Sequence, residues 1–207
     1  MTDAYRFDES STEQAIAYAK IYAGENYSPA METVLKVAFS EKRNLPTFRL
    51  KSSDTILLSG YMKKWVGAYL AGYNNRPSVR TGNCSGTHPD PMAKTILRAR
   101  ISGLEDNLAD KIVARHSLLM TIENNIGELL EEYLSVKLSP LGWYCCWGST
   151  IDAVDFCKAD GSLLQIKTSD NSENSSSSRV RQGTPIGKWF RRFSRRPGVY
   201  NWESLNR

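Results

Sequence analysis

At Pro140 the apolar period of this chain changes, and that change constrains the fold more than any other feature. Upstream, apolar residues recur at intervals of three and four over residues 31–39 (METVLKVAF), 55–73, 91–114 and 117–138, and each stretch predicts a helix. Residues 11–23 (STEQAIAYAKIYA) predict one more, opening on Ser and Thr with Glu13 placed as in a capping box. Downstream, residues 143–147 (WYCCW), 150–157 (TIDAVDFC) and 162–168 (SLLQIKT) are short β-type runs, separated by Gly148 and the turn KADG. The fold class is therefore α/β in the α+β sense. A mostly helical region over 1–115 precedes a strand-bearing core over 116–207. The Gly, Asn, Ser and Pro of residues 74–90 predict a long surface loop.

A content of 41% hydrophobic and 24% charged residues excludes a disordered tail protein. No apolar run reaches the roughly eighteen residues that a membrane helix needs. The opening MTDAYRFDESSTEQ has neither the basic nor the apolar region of an export signal, so a cytoplasmic protein without membrane association is expected. Cys84, Cys145, Cys146 and Cys157 show no CxxC spacing and read as reduced thiols. Zinc ligation by Cys145 and Cys146 together conflicts with their adjacency, because neighbours on a strand point to opposite faces. His88 and His116 supply no nucleophile triad.

The net charge of +5 is unevenly spread. Residues 175–207 carry eight basic residues against Glu203 alone, a net +7 that leaves the rest of the chain at −2. Arginines there alternate with Trp189, Phe190, Phe193, Tyr200 and Trp202, which suits a polyanionic partner better than a solvated tail. Trp189 and Phe190 themselves read as core. The serine-rich 169–178 is either a linker or a phosphate-facing segment.

The chemistry sits in a hairpin. With a three-residue loop Ala159-Asp160-Gly161 and Gly161 left-handed, Lys158 pairs with Ser162, Asp155 faces Gln165 and Ala153 faces Lys167. Asp155, Gln165 and Lys167 then share one face. A two-residue Asp160-Gly161 turn would instead oppose Asp155 to Ile166 and dissolve the cluster. Such groups in an apolar setting cost about 1 to 3 kcal/mol each unless paired. Mg²⁺, which takes one or two carboxylates and keeps several waters, would offset that cost through Asp155 and Gln165, with Lys167 placing an attacking water. A plain Asp155–Lys167 salt bridge is the alternative. On the preceding helix, Glu131 lies beside the apolar face of Ile126, Leu129, Leu130, Tyr133 and Leu134, whereas Glu128 points away, so Glu131 is the helix's candidate for the site.

Taken in order, the Gly127-x-x-x-Glu131 helix, the VDF run with Asp155 and the QIK of Gln165 to Lys167 resemble the PD-(D/E)XK nuclease superfamily. More narrowly, the chain, with its SENSSSSRVR and KWFR segments, resembles type II restriction endonucleases of the SinI type. Gln165 departs from the acid found at that position in most of the superfamily. The resemblance implies a mixed central sheet flanked by helices, with Asp155, Gln165, Lys167 and Glu131 as catalytic residues. It also implies Mg²⁺-dependent cleavage of double-stranded DNA at a short site of the GGWCC kind, by a homodimer accompanied by a cytosine DNA methyltransferase. Arg179 and Arg181 would then read guanine edges, while Lys188, Arg191 and Arg192 grip phosphates. The competing readings are a non-catalytic DNA-binding protein and a repair or structure-specific nuclease.

Overall fold

A computed structural model describes residues 7–48, 57–80, 90–170 and 185–205. The chain divides into two compact units, Met1–Arg76 with Leu130–Arg207, and Pro77–Leu129.

The larger unit opens with three helices: α1 (Thr12–Ala23), α2 (Pro29–Ser40) and α3 (Leu58–Asn74). Ser28 caps α2, its hydroxyl accepting from Met31 N at 3.2 Å with Pro29 in the first turn. At α1 the expected capping box is absent. Ser11 makes no side-chain cap, and Asp8 caps a 3₁₀ turn just before the helix by accepting from Ser10 N at 3.0 Å. Met31, Leu35, Phe39, Tyr61, Met62 and Trp65 are wholly buried between these helices, each worth about 1.5 to 3 kcal/mol of transfer free energy.

On this layer lies a four-stranded sheet in the order β1 (Tyr144–Cys145), β2 (Phe156–Cys157), β3 (Leu163–Lys167) and β4 (Ile186–Phe190). The first two pairings are antiparallel and β3–β4 is parallel, so the sheet is mixed as expected. Adjacent cysteines divide between its faces: Cys146 enters the helical core, and Cys145 packs on the other side with Leu130, Leu134 and Leu138 of α5 (Asp106–Leu138). Helices thus cover both faces. Gly148 is left-handed, and a Cβ there would run into the Ala68 carbonyl, so glycine permits α3 to approach the β1–β2 connection. A short hairpin, β5 (Arg192–Phe193) and β6 (Arg196–Tyr200), follows β4.

The smaller unit holds α4 (Pro91–Arg100) and the first part of α5. The two are clipped together by Lys94 to Asp110 at 2.8 Å and Arg98 to Asp106 at 2.6 Å. Left-handed Gly103 separates them, so the helix break lies there and residues 106–138 run as one helix without the interruption expected near 115.

Candidate active site

All the described site residues belong to the larger unit. The hairpin that orders them has the three-residue loop: Lys158 N donates to Ser162 O at 2.9 Å, Gly161 N to Lys158 O at 3.0 Å, and Gly161 takes φ +87°. Asp160 secures the turn by accepting from Ser162 N at 2.9 Å. The register Cys157↔Leu163 and Phe156↔Leu164 follows.

Beyond Phe156 the ladder stops. The expected strand over 150–157 is reduced to two residues, because 151–153 form a turn with Ala153 at φ +56°. Ala153 therefore does not pair with Lys167. The cause lies far away in sequence: the Trp65 indole donates to Thr150 O at 2.9 Å, and Asp152 N donates to Asn44 O at 2.9 Å. Ile151 and Val154 are drawn into the helical core.

Asp155 occupies the place the strand vacates. Its amide donates to Leu164 O at 3.0 Å and its carbonyl accepts from Cys146 N at 2.8 Å. Its Oδ2 accepts from Ile166 N at 2.6 Å. Even-numbered residues of β3 turn their backbone groups towards β2, so Ile166 N–H would be an orphan donor once β2 ends. The carboxylate supplies the missing acceptor and is thereby fixed between Gln165 and Lys167.

Strand alternation then sorts β3. Ile166, with its β4 neighbour Trp189, joins the apolar cluster under α5, while Gln165 and Lys167 share the other orientation beside Lys188 and Phe190. Gln165 is 5% exposed and Lys167 is half-buried at the strand's end. Glu131 follows Leu130 on α5. Burial, then the charge of Asp155, pushes its carboxyl up to about 8, opposed by Lys167. Burial likewise lifts Asp155 to about 6, against the pull of the Ile166 amide and Lys167. Glu131, Asp155 and Lys167 thus form one electrostatic group of two acids and one cation. Gln165 lies on β3 between Leu164 and Ile166, the two residues whose backbone groups bond Asp155. Cys145, which sequence reasoning assigned no role here, borders the group, its thiol raised by burial and by both acids.

No cluster of three or more His, Cys, Asp or Glu capable of holding a metal occurs among the described residues. Two neighbouring carboxylates suit Mg²⁺, which binds through one or two carboxylates and completes its octahedron with water. The elevation of two buried acids, that of Glu131 in part by the charge of Asp155, beside one lysine is the deficit of positive charge that a divalent cation would relieve.

Of the expected DNA-binding residues, Arg179 and Arg181 lie outside the described residues. Lys188 is exposed on β4. Arg191 stands at the bend after β4, over the Tyr200 ring at 5.2 Å, and Arg192 opens β5. Trp189 is 4% exposed and its indole donates to Asn201 O at 3.0 Å, so it is core, as expected. Asp170 was missed. It sits in a stretch that reads as low complexity, and nothing local marks it as a partner of Ser194, which donates to it at 2.6 Å.

Comparison with known proteins covers this same region. Residues 52–207 match the family described as SinI restriction endonuclease. Type II restriction enzyme SinI from Salmonella infantis is 46% identical over 124 residues, which is 58% of this chain and 53% of the relative. Type II restriction enzyme Eco47I from Escherichia coli is 43% identical over 124 residues, with the same shares. The chain thus spans about half the length of the curated relatives it matches. With the acid-bearing helix, the Asp155 bend, the QIK strand and the arginine hairpin all inside the matched residues, this chain belongs to the SinI restriction endonuclease family.

Proposed function

We propose that this chain is a Mg²⁺-dependent type II restriction endonuclease that hydrolyses phosphodiester bonds of duplex DNA at a short specific site of the GGWCC kind. The observation that carries the reading is the pair of buried, mutually repelling acids, Glu131 and Asp155, beside Lys167. Family membership supports the reaction class.

Asp155, held by Ile166 N, and the Gln165 carboxamide would hold Mg²⁺, with Glu131 supporting it from the helix. When bound, the ion supplies Lewis-acid stabilisation of the phosphate and lowers the pKa of water. Lys167 orients the attacking water in line with the leaving oxygen and steadies charge growing on phosphorus. Arg179 and Arg181 read base edges, and Lys188, Arg191 and Arg192 hold the backbone. The nuclease core is 116–207, with 1–115 as its helical support. A homodimer acts in the cytoplasm on the two strands of a palindrome-like site, and a cytosine DNA methyltransferase protects the host. Among the described residues no helix is long and apolar enough to cross a membrane.

Gln165 favours one second reading, a DNA-binding protein without catalysis, because a carboxamide gives a cation an oxygen but no charge. Digestion of a long unmethylated duplex in Mg²⁺ and in chelator, with Lys167→Ala alongside, separates the two. Discrete fragments in Mg²⁺ only, lost in the variant, are the expected outcome. DNA retained on the protein yet intact in both Mg²⁺ and Mn²⁺ would leave binding as the function.

A further inference from the structure

The β5–β6 hairpin is held to the catalytic strand at both ends. Beyond β3 and β4 the two chains continue side by side: Lys167 O accepts from Arg191 N at 2.9 Å. Three residues beyond Lys167, Asp170 takes both donors of Ser194, accepting from its amide through Oδ1 at 2.6 Å and from its hydroxyl through Oδ2 at 3.2 Å. At the base, Asn201 N donates to Arg191 O at 2.8 Å and its side chain to Phe190 O at 3.1 Å.

The tip needs this outside hold. Phe193 pairs with Arg196, leaving Ser194 and Arg195 as a two-residue loop. Neither has positive φ among the described residues, so the primed turns that match strand twist are not used. A register shift also falls between Arg192 and Phe193. A hairpin with so short a strand and an unfavoured turn is marginal by itself. The bidentate carboxylate supplies what the turn does not, and the same two donors hold its pKa below the usual carboxylate range.

Arg192, Arg195 and Arg196 lie around this tip, the latter two exposed. Among the described residues no ion pair engages any of the three. We propose that Asp170 is a positioning residue whose carboxylate clasps the hairpin tip, so that Arg192, Arg195 and Arg196 meet the DNA phosphate backbone beside Lys167. The proposal rests on the nuclease reading and deepens it. It assigns Arg195 and Arg196 to the backbone grip and makes Asp170 the link between that grip and the cutting strand.

The test uses the full chain and a plasmid of known sequence, with turnover measured in Mg²⁺ and binding in chelator over a range of salt. Asp170→Ala is expected to lower kcat about tenfold or more. Asp170→Asn should stay within about twofold of wild type, since a carboxamide accepts from the Ser194 amide and donates to its hydroxyl. The double variant Arg195→Ala/Arg196→Ala should reduce the slope of log K against log salt by roughly 1.8, two phosphate contacts at about 0.9 each. Wild-type kcat in Asp170→Ala, equal damage in Asp170→Asn, or an unchanged salt slope would each overturn the proposal while wild type still cleaves. Failure of wild type to cleave at all overturns the nuclease reading itself, and the positioning role of Asp170 with it.

Discussion

The helical core around Trp65 and the acidic corner around Asp155 are both buried, but they use burial in opposite ways. In the core, polar groups at long range find partners: Trp65 donates to Thr150 O, Tyr61 donates to Pro46 O at 3.0 Å, and Asn44 donates to Val37 O at 2.9 Å. Such bonds add about 0.5 to 1.5 kcal/mol each to the apolar transfer. At the corner, burial works against two carboxyls that also repel one another, and Lys167 and the Ile166 amide oppose it. One region stabilises the fold, while the other stores unfavourable charge where chemistry is expected.

Substitutions should separate these roles. Asp155→Asn keeps an acceptor for Ile166 N and removes one charge, so cleavage is expected to fall about a thousandfold. Its thermal midpoint at pH 8 without divalent cation should equal or exceed that of wild type. Leu35→Ala, at a residue wholly buried in the helical core, reverses the pattern, costing about 2 to 5 kcal/mol of stability, with turnover per folded molecule retained at low temperature. A destabilised Asp155→Asn chain would break the comparison.

Acidity sharpens it. Both carboxyls are raised above their ordinary values, so between about pH 4 and pH 8 the folded chain holds protons that the unfolded chain has released. Stability without divalent cation should therefore fall as pH rises through that window, by on the order of 1 kcal/mol per unit where one group dominates, and level off above it. Melting curves from pH 5 to 9 read this directly. Added Mg²⁺ should flatten the decline, since it favours the charged forms. Stability that rises over this range would contradict the raised values.

The smallest effect belongs to Thr150. Its hydroxyl is buried without a hydrogen-bond partner among the described residues, although its carbonyl is taken by Trp65. Thr150→Val should be neutral or stabilising by less than about 1 kcal/mol, as measured by denaturant midpoint.

Legibility in the sequence followed locality. Gly161 and its loop fixed the hairpin register, because a left-handed glycine leaves few turn geometries. The helical layer was readable from apolar period, and so was the division of Cys145 from Cys146. The shortness of β2 was not, since Trp65 and Asn44, remote in sequence, decide it. Glu131 was placed by period at the margin of its helix face, but its nearness to Asp155 depends on packing. Asp170 was hidden for the opposite reason: an acid amid serines carries no pattern, and its partner Ser194 lies on another strand connection.

Calorimetric titration of Mg²⁺ into the protein at pH 7, repeated in buffers of different ionisation enthalpy, counts the protons released on binding. With Glu131 near 8 and Asp155 near 6, a cation at this corner should release close to one proton, and the release should vanish in Glu131→Gln. Binding without proton release, or release unchanged in that variant, would contradict the account that these buried acids form the cation site.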